Sequence, residues 1–257
     1  MSSFVLDAFD TAAFIAATLA EDLNGLGPAG DVTSAAVIPA DARFVAVMDS
    51  RDAITVCGLP LAADFFRSLD PDAIVTPLVE EGARVGSGTD LMRIEGYARA
   101  LLTAERSALN TVQHLSGIAT MTRAYVDRIA GTGATLLDTR KTIPGLRRLE
   151  KYATRTGGAK NHRMGLWDAA MIKDNHVAVA GGVGEDGVAR IRFARRPRLG
   201  HVEVDVSVDG STLWLQAHTV ALGARRAERV ARDRDEIADI LAGRDDRLLV
   251  VVGPCSV

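Results

Sequence analysis

Residues 134–176 read ATLLDTRKTIPGLRRLEKYATRTGGAKNHRMGLWDAAMIKDNH. The apolar start, ATLL, breaks abruptly into charge at Asp138–Lys141 and predicts a buried strand with a polar C-terminal end. A helix is predicted over about 146–153. DAAMIKDNH (168–176) then repeats the strand-then-charge pattern, and HVEVDV (201–206) gives it a third time. Repetition of a buried strand with chemistry at its C-terminal end is how a parallel α/β barrel builds its site. The stretch therefore predicts such a barrel layer, with polar groups collected at one mouth.

Four clusters fall at those positions: Thr139, Arg140 and Lys141; His162 and Arg163; Lys173, Asp174, Asn175 and His176; Glu203 and Asp205. An arginine grips a carboxylate through a fork of parallel hydrogen bonds, and a lysine acts as a compact charge on phosphate. Cations gathered at one mouth call for a ligand with several negative charges. Nearby acids would suit sugar hydroxyls, or a divalent cation attending a diphosphate. The histidines are equally compatible with core positions bonded to backbone. Arg147, Arg148 and Lys151, in GLRRLEK, are expected to be solvated. Histidine spacings of the HxH or HExxH kind are absent, so no protein metal ligand is assigned. GGVGEDG (181–187) does not match GxGxxG and reads as a turn.

The rest of the chain agrees with an α/β protein. Its 257 residues are 47% apolar but only 5% aromatic, so the core must come from Ala, Val, Leu and Ile. The net charge of −3 gives no reason to expect nucleic acid or a membrane surface as partner. Yet residues 138–176 hold nine Lys or Arg against four Asp or Glu, a basic island in an acidic protein. Cys57 and Cys255 are too few and too far apart for a disulfide framework or a zinc site. No apolar run reaches membrane-spanning length, and MSSFVLDAFD lacks the pattern of a signal peptide, so a cytoplasmic location is expected.

Upstream, Asp10 or Thr11 caps a predicted helix running to about Leu23. Strands are expected at 43–47 and 54–57, a helix at 61–69, and two short strands around EEGARVGSGTD (80–90). From Tyr97 to Ile129, Leu101, Ala104, Ala108, Val112, Leu115 and Ala119 recur at helical spacing. That is one long amphipathic helix or two abutting ones, with Gly117 as the expected bend and Arg106 off the apolar stripe. The predicted domains are 1–130, an N-terminal α/β layer with the long helix; 131–206, a partial parallel barrel carrying the site; and 207–257, a divergent tail.

DTRKTIPGLRRLEKYATRTGGAKNHRMGLWDAAMIKDNH resembles the quinolinate phosphoribosyltransferases. The likeness continues upstream through EDL…GDVTS (21–34), EEGARVGSG (80–88) and LLTAERSALNTVQHLSGIAT (101–120), and covers about residues 4–206. The resemblance implies an α/β sandwich-like N-terminal domain joined to an α/β barrel. It also implies transfer of phosphoribosyl from 5-phosphoribosyl 1-diphosphate to quinolinate with decarboxylation, Mg2+ accompanying the donor. By similarity, Thr139, Arg140, His162, Arg163 and Lys173 would bind the dicarboxylate. Lys141 and Lys173 would act near the phosphoribosyl donor, and Glu203 at the ribose. Arg106 would enter the site of a second subunit, which implies a homodimer or larger homo-oligomer.

Beyond Val206 the motifs depart from that pattern. The family's LDN strand and Gly-rich phosphate segment have no counterpart in the sequence, and RDEIADILAGRDDRLLVVVGPCSV (234–257) resembles the start of the DAHP synthases instead. The 124 residues from Ala134 onward allow about four strand–helix units at ~30 residues each. The expectation is an incomplete barrel, with the dicarboxylate half of the site present and the phosphoribosyl half altered. The alternatives are a non-catalytic dicarboxylate-binding or partner-subunit homologue, and a paralogue of the molybdenum-operon type.

Overall fold

In a computed structural model the chain is an α/β protein, and the structure describes residues 4–169, 171 and 175 together with the backbone of three strands within 188–219. These residues fall into two compact units that divide between Met164 and Gly165.

The first unit opens with α1 (Thr11–Asp22), whose free N-terminal amides meet the Asp10 carboxylate at Ala13 N (2.9 Å). Its apolar side buries Ile15 and Leu19. A 3-10 turn at Gly27–Gly30 leads into α2 (Val32–Val37), capped by Asp31 on Ser34 N (2.9 Å). Strands β1 (Arg43–Ser50), β3 (Ile74–Pro77) and β5 (Thr89–Tyr97) form an antiparallel sheet with β5 in the centre, and β2 (Ile54–Thr55) pairs with β4 (Arg84–Val85). Helix α3 (Leu59–Leu69) buries Leu59, Leu61, Phe65 and Phe66 in the core, together with Met92 and Ile94 of β5. Each such fully buried side chain contributes roughly 1.5–3 kcal/mol.

Gly96 shows how tightly the sheet is closed. A Cβ there would lie 2.5 Å from Asp70 Oδ2, the oxygen that accepts the Tyr97 amide at 2.8 Å. Asp70 is buried at the end of α3, so helix and strand approach only because residue 96 lacks a side chain.

Helix α4 (Ala98–Arg128) is continuous for 31 residues, about 46 Å at 1.5 Å per residue. Its buried stripe includes Leu101, Ala104, Ala108, Val112, Leu115 and Ala119, as the spacing predicts. Gly117 does not break it; Leu115, Ser116 and Ala119 are buried on either side, and that packing outweighs a propensity cost of about 1 kcal/mol.

Helix α5 (Arg147–Thr156) packs against α4 and carries Leu149 and Ala153 into the core. The segment before it, 136–138, and Lys160 after it meet in a parallel bridge: Lys160 N donates to Leu136 O (2.9 Å) and Asp138 N to Lys160 O (3.2 Å). This is the strand–helix–strand order expected of a barrel layer. The expected buried strand at 134–141 is, however, a single bridge, and Leu137 is 38% exposed.

In the second unit β6 (Val188–Arg192), β7 (Val202–Asp209) and β8 (Thr212–Thr219) form a sheet in the order β6-β7-β8, antiparallel throughout. The expectation of parallel pairing for HVEVDV is therefore corrected. Its strict alternation, Val202, Val204, Val206 and Val208 against Glu203, Asp205, Ser207 and Asp209, is the pattern of an antiparallel strand with one polar face. Only two residues separate β7 from β8, which an antiparallel hairpin allows and a parallel crossover does not. Among the described residues no helix is long and apolar enough to cross a membrane.

Gly96→Ala is expected to lower stability by about 1–3 kcal/mol, the usual cost of forcing atoms into a packed core, seen as a lower urea midpoint at unchanged slope.

Candidate active site

The site is organised by a buried carboxylate. Asp138 and the Lys151 side chain of α5 are 4% and 1% exposed, and the Lys151 ammonium donates to Asp138 Oδ1 in a short ion pair. The same oxygen accepts the His162 amide at 2.8 Å. Oδ2 accepts from Asn161 Nδ2 at 2.6 Å, whose second proton points to the Lys151 carbonyl at 2.8 Å. Thr154 Oγ1 stands 3.2 Å from Oδ2 and divides its single proton between that oxygen and the Lys151 carbonyl (2.9 Å). All the partners are donors, which suits an ionised carboxylate and no other group.

Two of the expected site clusters are tied to this point. Thr139, Arg140 and Lys141 follow Asp138 directly; Thr139 Oγ1 accepts the Lys141 amide (3.1 Å), and Arg140 O accepts the Thr142 amide (3.0 Å). His162 and Arg163 follow Asn161, and both are half-buried. Arg147 joins the two segments from α5: Nε donates to Thr142 Oγ1 (3.2 Å) and Nη1 to Met164 O (3.3 Å). Arg140 is half-buried, and its Nε is fully buried and has no acceptor among the described residues. A buried donor left unmatched costs about 1–3 kcal/mol, which a bound anion would recover. Lys141 is exposed.

Within the first unit, Arg106 is not brought to this cluster. Arg106 is exposed on α4, about 12 Å along the axis before His114, the α4 residue that reaches α5. Lys173 lies outside the described residues. Glu203 is in β7, in register with Arg192 and His218, and only its backbone is described.

The expectation of solvated cations along GLRRLEK is corrected. Lys151 is buried on Asp138, Arg147 bridges two loops, and Arg148 Nη1 donates to Asp7 O (3.1 Å). Glu150 is buried too, with Oε1 3.1 Å from His114 Nε2 and Oε2 accepting the Ile143 amide (3.2 Å). Sequence reasoning missed Asp138, Lys151, Thr154 and Asn161 as a unit. The available signal was Lys151 and Thr154 at i, i+3 on one helix face, opposite an acid that ends a strand.

A second, half-buried carboxylate fixes the other side of α5. Glu81 Oε1 accepts from Gly58 N (2.5 Å) and from the Tyr152 hydroxyl (2.8 Å), and Oε2 accepts from Leu59 N (3.1 Å). Burial, reinforced by the Glu81 charge, pushes the Tyr152 phenol and the neighbouring Cys57 thiol far above their usual ranges. Both are therefore uncharged near neutral pH, and neither offers a thiolate or phenolate there. Among the described residues no group of three or more His, Cys, Asp or Glu is placed to hold a metal ion.

Residues 31–116 match the N-terminal domain of quinolinate phosphoribosyl transferase, and residues 118–231 match its C-terminal domain. The chain belongs to the quinolinate phosphoribosyltransferase family. The C-terminal match runs past Val206, where the motif resemblance ends. The chain is 47% identical over 178 residues to a nicotinate-nucleotide pyrophosphorylase (carboxylating) of Mycobacterium leprae, covering 69% of this chain and 59% of the relative. It is 51% identical over 142 residues to a probable enzyme of the same name from Synechocystis, covering 55% and 47%. Among solved structures, NadC from Streptococcus pyogenes superposes with a TM-score of 0.65 at 38% identity, over 70% of this chain and 63% of that one. This member of the quinolinate phosphoribosyltransferase family thus spans about three fifths of the M. leprae relative's length.

Burial at this site has two measurable consequences. Lys151→Met leaves the Asp138 carboxylate buried without its counter-charge and should cost about 3–5 kcal/mol in urea unfolding. The Cys57 thiol and Tyr152 phenol stay neutral in the fold and ionise more readily once unfolded. Their contribution to stability is therefore fully present below the unfolded thiol's range, about pH 8.5, and declines as pH rises toward the folded values. At pH 8, alkylation of Cys57 in the native protein, read by peptide mass, should be at least ~100-fold slower than in urea.

Proposed function

We propose that this chain binds quinolinate at the Arg140–Arg163 cluster and transfers to it the phosphoribosyl group of 5-phosphoribosyl 1-diphosphate. The observation that carries this reading is the buried Arg140 Nε without an acceptor, placed two residues beyond a carboxylate already matched by Lys151. Asp138 is taken up by Lys151, so among the described residues Arg140 Nε is left able to donate to a bound anion.

In this reading Arg140, His162 and Arg163 hold the two carboxylates and direct the pyridine nitrogen at the anomeric carbon. Holding the reactants makes the attack effectively intramolecular. The C–N bond forms as the anomeric C–O bond to diphosphate breaks, and positive charge develops on the sugar. Lys141, exposed beside the cluster, stabilises the departing oxygens. When the 2-carboxylate leaves as CO2 its bonding pair stays on ring carbon 2, stabilised by the adjacent ring nitrogen, now cationic, and that carbon takes up a proton. The products are nicotinate mononucleotide, diphosphate and CO2. Mg2+ would enter on the donor's diphosphate, since this ion prefers phosphate oxygens and retained water to an all-protein cage. Lys173 and Glu203 are assigned to the donor side by resemblance. Arg106, exposed on α4, would serve the site of a second copy in a homodimer.

Calorimetry should show quinolinate binding, and quinolinate, donor and Mg2+ together should release diphosphate and CO2. Arg140→Ala is expected to lower kcat/KM for quinolinate about 100-fold, some 2–3 kcal/mol for a buried charge-assisted contact. Binding without either product would reduce the chain to a dicarboxylate-binding homologue. Absence of both binding and turnover would defeat the assignment.

A further inference from the structure

The two cationic segments of the site come from different stretches of chain, and neither is held by a regular sheet. Their parallel contact is a single bridge, Leu137 with Lys160. One bridge fixes a crossing point but not the angle or spacing of the residues beyond it. Arg147 links the far ends of the two segments, at Thr142 and Met164, and nearest the arginines the restraint comes from the Asp138 side chain, which accepts the His162 amide and the Asn161 amide group while it is locked to α5 through Lys151. Arg140 lies two residues beyond Asp138, so its Cα can stand no more than about 7 Å from that of Asp138. Arg163 lies one residue beyond the amide that Asp138 holds at 2.8 Å. The carboxylate is thus the common origin from which both arginines are measured.

We propose that Asp138 is a positioning residue that sets the separation between Arg140 and the His162–Arg163 pair, and so makes the site selective for two adjacent carboxylates over one. This rests on the dicarboxylate reading above. A single carboxylate can be held by either segment alone and is indifferent to their spacing. Two carboxylates on one rigid ring must meet both segments at once, so the second contact is gained only when the spacing is right. Asn161 is part of the same device, because its amide group joins Asp138 Oδ2 to the Lys151 carbonyl.

The test compares affinities for pyridine-2,3-dicarboxylate and pyridine-3-carboxylate in the full chain, by calorimetry or competition. Asn161→Ala keeps the Asp138–Lys151 pair and the His162 amide on Oδ1, and removes the side-chain contacts of residue 161 to Oδ2, to Thr154 and to the Lys151 carbonyl. Asp138→Glu keeps the charge but moves the carboxylate by one methylene. In both, the dicarboxylate affinity should fall about tenfold while that for the monocarboxylate stays within about twofold, at a melting temperature within a few degrees of wild type for Asn161→Ala. Should Asp138→Glu fail to fold, Asn161→Ala decides. An unchanged preference in the folded variant, or an equal loss of both ligands, overturns the positioning role and leaves the binding reading standing. A wild-type chain that binds neither compound overturns both.

Discussion

The ion pair between Asp138 and Lys151 is the constraint on which the rest of the site depends. With both groups almost wholly removed from water, their desolvation costs several kcal/mol each, and mutual attraction alone does not guarantee a net gain. What makes the arrangement viable is satisfaction of the remaining lone pairs: Asn161, Thr154 and the His162 amide occupy the positions that Lys151 leaves. An apolar pair of equal volume would pack as well but would not choose among neighbouring registers. The carboxylate does choose, because only one placement of residues 161 and 162 presents both donors to it.

Helix α5 is held by polar contacts on successive residues that face different ways. Glu150 reaches His114 on α4, Lys151 reaches Asp138 at the strand end, and Tyr152 reaches Glu81. Consecutive helical residues point about 100° apart, so these contacts fix the helix against rotation as well as translation. Glu81 extends the chain of restraint, since the same carboxylate takes the first free amides of α3 at Gly58 and Leu59. The N-terminal layer and the cationic loops are therefore coupled through one ten-residue helix. Leu149 and Ala153 supply its apolar anchorage.

Such long-range anchorage separates the legible parts of the sequence from the rest. α1, α3, β5 and α4 bury one apolar face each, and a periodic apolar pattern states its own structure; hence Asp10 as a cap and the stripe from Leu101 to Ala119 were legible. The place of Arg140 and Lys141 just beyond the apolar ATLL segment was legible too, although that segment forms one bridge and no regular strand. α5 was not, because GLRRLEK is polar nearly all round, and such a helix looks solvated until its partners are known. Those partners, Asp7, Glu81, His114 and Asp138, lie 13 or more positions away, beyond any local pattern. For β7 the signal lay in the letters: period-two alternation and a two-residue connection mark antiparallel pairing, and the strand-then-charge analogy overrode them.

The basic island of residues 138–176 can now be sorted by the contacts each cation makes. Arg147, Arg148 and Lys151 are engaged with chain atoms, and Arg155 lies 5.9 Å over the Tyr152 ring. These groups hold the scaffold and contribute little to recognition of a ligand. Arg140 differs, as it combines a buried nitrogen with the lack of an acceptor among the described residues. With nearby Asp138 already matched by Lys151, a donor so placed would be satisfied by a bound anion, as the proposed dicarboxylate site requires. Local positive charge alone would attract any anion; the buried, directional donor is what restricts the choice to a ligand that can accept along its axis.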